Sequence, residues 1–131
     1  MAYEYNEHQE KWLTDLETTD VPQAKGRLKS NTGEFCCLGR YYESQEISCE
    51  KSESGDFLYL GHISALDDLA VQDLRLKSKY GDILTGKVDP VWRIKIGDHT
   101  RLTEMNDFLK WSFKEIAEFI RANPDAVFND E

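Results

Sequence analysis

The sequence predicts an α+β fold: a small, mostly antiparallel sheet packed against about four helices, in one domain over residues 1–131. Three observations lead there. Several segments repeat apolar residues at helical spacing, two short segments alternate as half-buried strands do, and no linker, internal repeat or low-complexity tract divides the chain. A chain of 131 residues has the length of one core, burying roughly two thirds of the surface its unfolded form exposes.

The first helix is expected from Asn6, whose side chain can accept from the N3 amide while Gln9 bonds back, with Trp12, Leu13 and Leu16 on its inner face. It should stop before Thr18, Thr19 and Asp20, since Pro22 forbids continuation. In "GEFCCLGRYYES", Phe35, Leu38, Gly39 and Tyr42 fall at i, i+3, i+4 and i+7 and predict a second helix. A glycine there costs about 1 kcal/mol against alanine, which is tolerable if its missing side chain lets another element approach closely.

"EISCEK" and "DFLYL" alternate and predict a hairpin with one buried face across a loop that contains Gly55. A helix is expected from Ser64, with Asp67 at N3 and Leu66, Leu69, Ala70 and Leu74 on one side, closing in the basic turn "KSKYGD". "DILTG" and "VWRIKIG" read as further strands, Trp92, Ile94 and Ile96 alternating with Arg93 and Lys95, and Pro90 placing the second at a sheet edge.

Near the end, Leu102, Met105 and Leu109 predict a short helix. A tight turn at Lys110 and Trp111 leads into a longer one, capped by Ser112 and Glu115, with Trp111 stapled onto Ile116. Its buried stripe is Phe113, Ile116, Ala117 and Ile120; Asn123 is expected as a left-handed cap, with Pro124 blocking extension.

Composition limits the function. No segment approaches the about eighteen consecutive apolar residues of a membrane helix, and the polar, acidic start is unlike a signal peptide, so a cytoplasmic protein without membrane contact is expected. The net charge of -9 opposes a phosphate backbone, so no direct nucleic-acid binding is expected. Charge is uneven along the chain, however. Between Arg75 and Arg101 cations outnumber acids, and Lys77, Lys79, Arg93, Lys95 and Arg101 are the candidate residues for an anionic ligand, with Tyr80 or Trp92 as a stacking surface. No Gly-rich phosphate loop accompanies them, and cations on an edge strand also prevent aggregation without any ligand.

Cys36, Cys37 and Cys49 make a poor disulfide framework. Catalysis by Cys36 or Cys37 would need exposure and a base from His8, His62 or His99, none of which stands in a recognisable Cys/His pattern. A zinc site from Cys36, Cys37, Cys49 and His62 lacks paired-ligand spacing, because adjacent residues on a helix point about 100° apart. Packing is the favoured role, and neither catalytic residues, metal nor cofactor is expected. The outer face of the last long helix mixes Lys114 and Arg121 with Glu115 and Glu118 and lacks the basic footprint of a helix-turn-helix reader.

"GRLKSNTGEFCCLG" and "LTEMNDFLKWSFKEIAEFI" together resemble a group of small, uncharacterised proteins of bacteriophages and prophages, in which a basic strand leads into a Cys-Cys-Leu-Gly helix and an Asn-Asp segment precedes a Ser-Phe-x-Glu-Ile-Ala helix. Here Arg40 and Tyr41 follow the glycine where that group continues with aliphatic residues. The resemblance implies a phage origin and a cytosolic role in infection, without a reaction. Its motif residues Cys36, Cys37, Leu38, Gly39, Asn106, Asp107, Ser112 and Ile116 are types that pack and cap helices. The expected function is a non-enzymatic protein-binding role on a host or phage protein, as an inhibitor or an acidic mimic of nucleic acid. The alternative is a small-molecule or nucleotide-binding protein, or an enzyme, that uses the basic segment.

Overall fold

The Asn6 side chain accepts the Gln9 amide at 2.7 Å and Gln9 Oε1 accepts the Asn6 amide at 2.8 Å, which starts helix α1 (Glu7–Thr18) where the capping pattern places it. The computed structural model describes residues 3–129, so residues 1–2 and 130–131 of the expected domain lie outside it. After α1 come α2 (Gly39–Ser44), β1 (Glu50–Lys51), β2 (Phe57–Leu58), α3 (Asp68–Leu74), a 3-10 turn (Thr85–Lys87), α4 (Pro90–Ile96), α5 (Leu102–Asp107), α6 (Phe113–Ala122) and α7 (Pro124–Val127). The class is α+β, with four helices of seven or more residues and one two-stranded antiparallel sheet among the described residues.

α1 packs on α2, α3 and α6, burying Trp12, Leu13 and Leu16, and the buried apolar residues form one connected core. The Ser112–Glu115 capping box starts α6, and Phe113, Ile116, Ala117 and Ile120 are buried as the stripe requires, with Phe119 added. Lys110 takes a left-handed φ of 57° in the turn before it. Asn123 is not left-handed: at φ -136° and ψ 52° it ends α6 and precedes Pro124, the first residue of α7. Its backbone N–H bonds Phe119 O at 3.0 Å and Ile120 O at 3.1 Å, and its side chain adds a bond to Phe119 O at 2.9 Å.

The second helix starts later than its stripe. Phe35 is extended, bridged in parallel to Gln23 and antiparallel to Lys29, so Cys36 and Cys37 lie on the approach to α2 and not inside a helix. The hairpin keeps only the pairs Glu50↔Leu58 and Lys51↔Phe57, none of them buried, while its inner face is carried by Tyr59, which is fully buried, and by Ile47 and Cys49, part-buried against the core. α3 is shorter than expected. Arg75 closes it at φ 57°, because Leu76 bridges to Phe128 and Asn129 N donates to Arg75 O at 2.7 Å, and Leu69 faces outward. Of the strand expected at "DILTG", one bridge from Asp82 to Arg101 remains.

The largest correction is α4, which replaces the strand expected at "VWRIKIG". Asp89 accepts the Val91 amide at 3.0 Å and Pro90 occupies the first turn, a position where its fixed φ and missing N–H cost nothing.

Candidate functional site

Cys36 and Cys37 lie in the core. Burial pushes the Cys36 thiol up to about 11, and burial, then its neighbours Cys36 and Asp107, raise Cys37 further above its ordinary value. Around them Trp12 Nε1 donates to Cys37 O at 2.8 Å and the Cys37 amide donates to Asn106 Oδ1 at 3.2 Å. The Cys37 backbone thus ties α1 to α5 ahead of α2, and the two thiols, held protonated in this interior, are not placed to act as nucleophiles. Among the described residues no group of three or more His, Cys, Asp or Glu side chains is placed to hold a metal ion.

The five candidate cations divide among three places. Lys77 Nζ donates to Phe128 O at 3.2 Å and Asn129 Oδ1 at 3.0 Å, beside the C-terminal segment. Lys79 and Arg101 come together over the Tyr80 ring, at 5.3 and 4.9 Å from its centroid. Arg93 and Lys95 lie on α4, with Lys95 Nζ 4.4 Å from the Trp92 ring. The cleft beside Tyr80, about 380 Å³, is lined by Tyr80 and Arg101 with Ser64, Glu104, Asp107 and Phe108 and does not include Lys79, and Arg101 Nε is bonded to Asp82 at 2.8 Å. Carboxylates thus accompany Arg101 in this cleft.

The helix at Pro90–Ile96 creates a different surface from the expected strand. Trp92, Ile94 and Ile96 would share one face of a strand, but on a helix residues 92 and 96 point one way and residue 94 points opposite. Ile96 is buried, while the Trp92 ring meets Trp111 at 5.8 Å and Phe119 at 5.6 Å. Those contacts fix the helix against α6. Ile94 consequently stands 86% exposed and Val91 62% exposed, with Arg93 on one flank and Lys95 on the other. A capped, anchored helix that displays two aliphatic side chains between two cations can dock an apolar surface bearing carboxylates. Ile94 is read from sequence as an inner strand residue and Val91 is not singled out, so neither is a candidate site residue there; the available signal is Asp89-Pro90, a cap followed by a first-turn proline.

No helix among the described residues is long and apolar enough to cross a membrane. No family model, curated protein or solved structure matches the chain.

Proposed function

We propose that this chain is a non-enzymatic, phage-encoded binding protein that works in the host cytoplasm on a host or phage protein, with α4 as its docking face. The observation that carries this reading is the outward display of Ile94 and Val91 on a helix whose other side is locked by Trp92 and Ile96. Burying two aliphatic side chains contributes about 1.5–3 kcal/mol each, and the rigid helix loses little entropy on docking. Arg93 and Lys95 select an acidic rim on the partner. The phage origin rests on the paired Cys-Cys-Leu-Gly and Ser-Phe-x-Glu-Ile-Ala motifs. Mimicry of nucleic acid draws on net charge, and two acids of α1, Glu10 and Glu17, are already held by Arg121 at 2.7 Å each.

Capture from infected-cell extract with the wild type and with Ile94→Asp tests the proposal. A partner retained by the wild type and lost from a variant of equal melting temperature supports it; a partner retained equally by both overturns the assignment to α4. The cleft where Arg101 lies against the Tyr80 ring supports the second reading, an anionic small-molecule site. Native mass spectrometry of protein taken from infected cells separates the two, because a retained small mass favours the cleft.

A further inference from the structure

A second apolar surface has chemistry opposite to that of α4. Leu60 and Leu69, 58% and 60% exposed, stand with Ile47 around a shallow depression of about 30 Å³ that Tyr41, Tyr42 and Ala70 also line, and Asp67 and Asp73 supply its carboxylates. Asp68 is exposed on the same helix, and Arg75 is the cation that ends it. The surface is therefore apolar at its centre and acidic at its edge.

Leu60 occupies its position against local preference. It is at φ 51° and followed by Gly61 at φ 86°, the two left-handed central residues of the tight turn closed by the mutual bonds of Tyr59 and His62 at 2.9 Å. Asparagine or glycine suits that site, and a leucine there is both strained and exposed to water. A residue with two unfavourable terms in the free molecule has a reason to be kept if it is covered in a complex.

We infer that copies of this chain associate head to tail, the α4 knob of one copy seated in the depression between Leu60 and Leu69 of the next. The inference rests on the reading of α4 as a docking face and names its occupant. A terminal methyl of Ile94 matches the size of this apolar depression while the rest of the side chain lies against Leu60 and Leu69, and Arg93 and Lys95 meet the carboxylates of Asp67 and Asp73 at its edge and of exposed Asp68 beside it. The net charge of -9 opposes association at long range, but at physiological salt that repulsion is screened over about 8 Å, so the local pairing governs the docked state. Two different patches make a heterologous contact, which leaves one knob and one depression unused at the ends and so grows into rings or open chains. The contact is small, and the association is weak and concentration-dependent.

Sedimentation of the wild type, Ile94→Asp, Leu69→Asp and an equimolar mixture of the two variants, at up to about 1 mM protein, tests this. The wild type is expected to grow beyond a dimer. Each variant alone should remain monomeric, whereas the mixture should form a dimer that stops at two, since one intact knob and one intact depression remain. Leu60→Asn should melt higher and associate less. A wild type that stays monomeric at the top concentration overturns the assembly but not docking through α4, which the capture experiment decides separately. Association lost in Ile94→Asp but kept in Leu69→Asp would assign α4 to pairing with itself and equally overturn it.

Discussion

The backbone of Gly39 lies so close to that of Leu28 that a Cβ on residue 39 would stand 1.9 Å from the Leu28 carbonyl oxygen. The same oxygen accepts the Cys36 amide at 3.2 Å, so the strand-like segment before the cysteines is sealed against the first turn of α2. Gly39→Ala must push backbone, not a flexible side chain. It is expected to cost at least about 3 kcal/mol, lowering the melting temperature by roughly 10 °C or more. Gly86→Ala is the control: its Cβ meets nothing within 4 Å and its φ is not positive, so calorimetry should find it neutral to slightly stabilising.

Asn106 is a buried junction. Its Nδ2 donates to Ala24 O at 2.7 Å and to Asp107 Oδ1 at 2.9 Å, and its Oδ1 accepts from the Cys37 amide at 3.2 Å and Gln23 Nε2 at 2.9 Å. Asn106→Asp keeps the shape but removes the donor and places a charge against Ala24 O and Asp107. Denaturant unfolding should show a loss of about 3 kcal/mol at neutral pH, larger than that for a surface asparagine.

Thiol accessibility should separate the three cysteines. Cys49 is half-buried, with its Sγ 3.6 Å from Lys29 Nζ, whereas Cys36 and Cys37 are buried. A soluble thiol reagent is expected to label Cys49 alone in the native protein and all three cysteines in denaturant. Cys37→Ala should lower stability by about 1–2 kcal/mol through the cavity it leaves.

Alkaline pH should unfold the protein. The Cys36 thiol titrates near 9.0 when free and is pushed up to about 11 by burial. Because the folded-state value is the raised one, its contribution is fully present below pH 9.0 and is lost as pH rises through about 11, amounting to roughly 2–3 kcal/mol. Tyr41, Tyr42 and Tyr59 act in the same direction. Burial raises all three above 10.0, with Asp73 and Asp67 adding at Tyr41, Asp67 at Tyr42 and Glu43 at Tyr59. A melting-temperature series should hold nearly level up to pH 9 and then fall steeply. A flat profile through pH 11 would contradict the burial of these groups.

Segments whose local chemistry and tertiary packing agree were legible from residue types. Asn6 with Gln9 and Ser112 with Glu115 form reciprocal bonds within four residues, and the chain around them already has a buried stripe at helical spacing. α4 is ambiguous in sequence because Trp92, Ile94 and Ile96 satisfy a strand's period while positions 92 and 96 satisfy a helix's. Only the Trp92–Trp111–Phe119 packing and the Asp89 cap decide between them. With the helix chosen, Ile94 moved from an expected inner face to the outermost point of the candidate site.

The sequence alone determined the fold class, the capped starts of α1 and α6 and the core positions of their stripes, the caps and stripes because they follow from contacts three or four residues apart. Tertiary structure alone decided that Phe35 is extended, that α3 stops at Arg75, that the cations of the basic segment separate, and that Val91 and Ile94 face water. Each of these depends on partners far along the chain: Gln23 and Lys29 for Phe35, Phe128 for Leu76, Phe119 for Trp92. Pairings at such separations close long loops, and no local propensity encodes which of them repays that entropy.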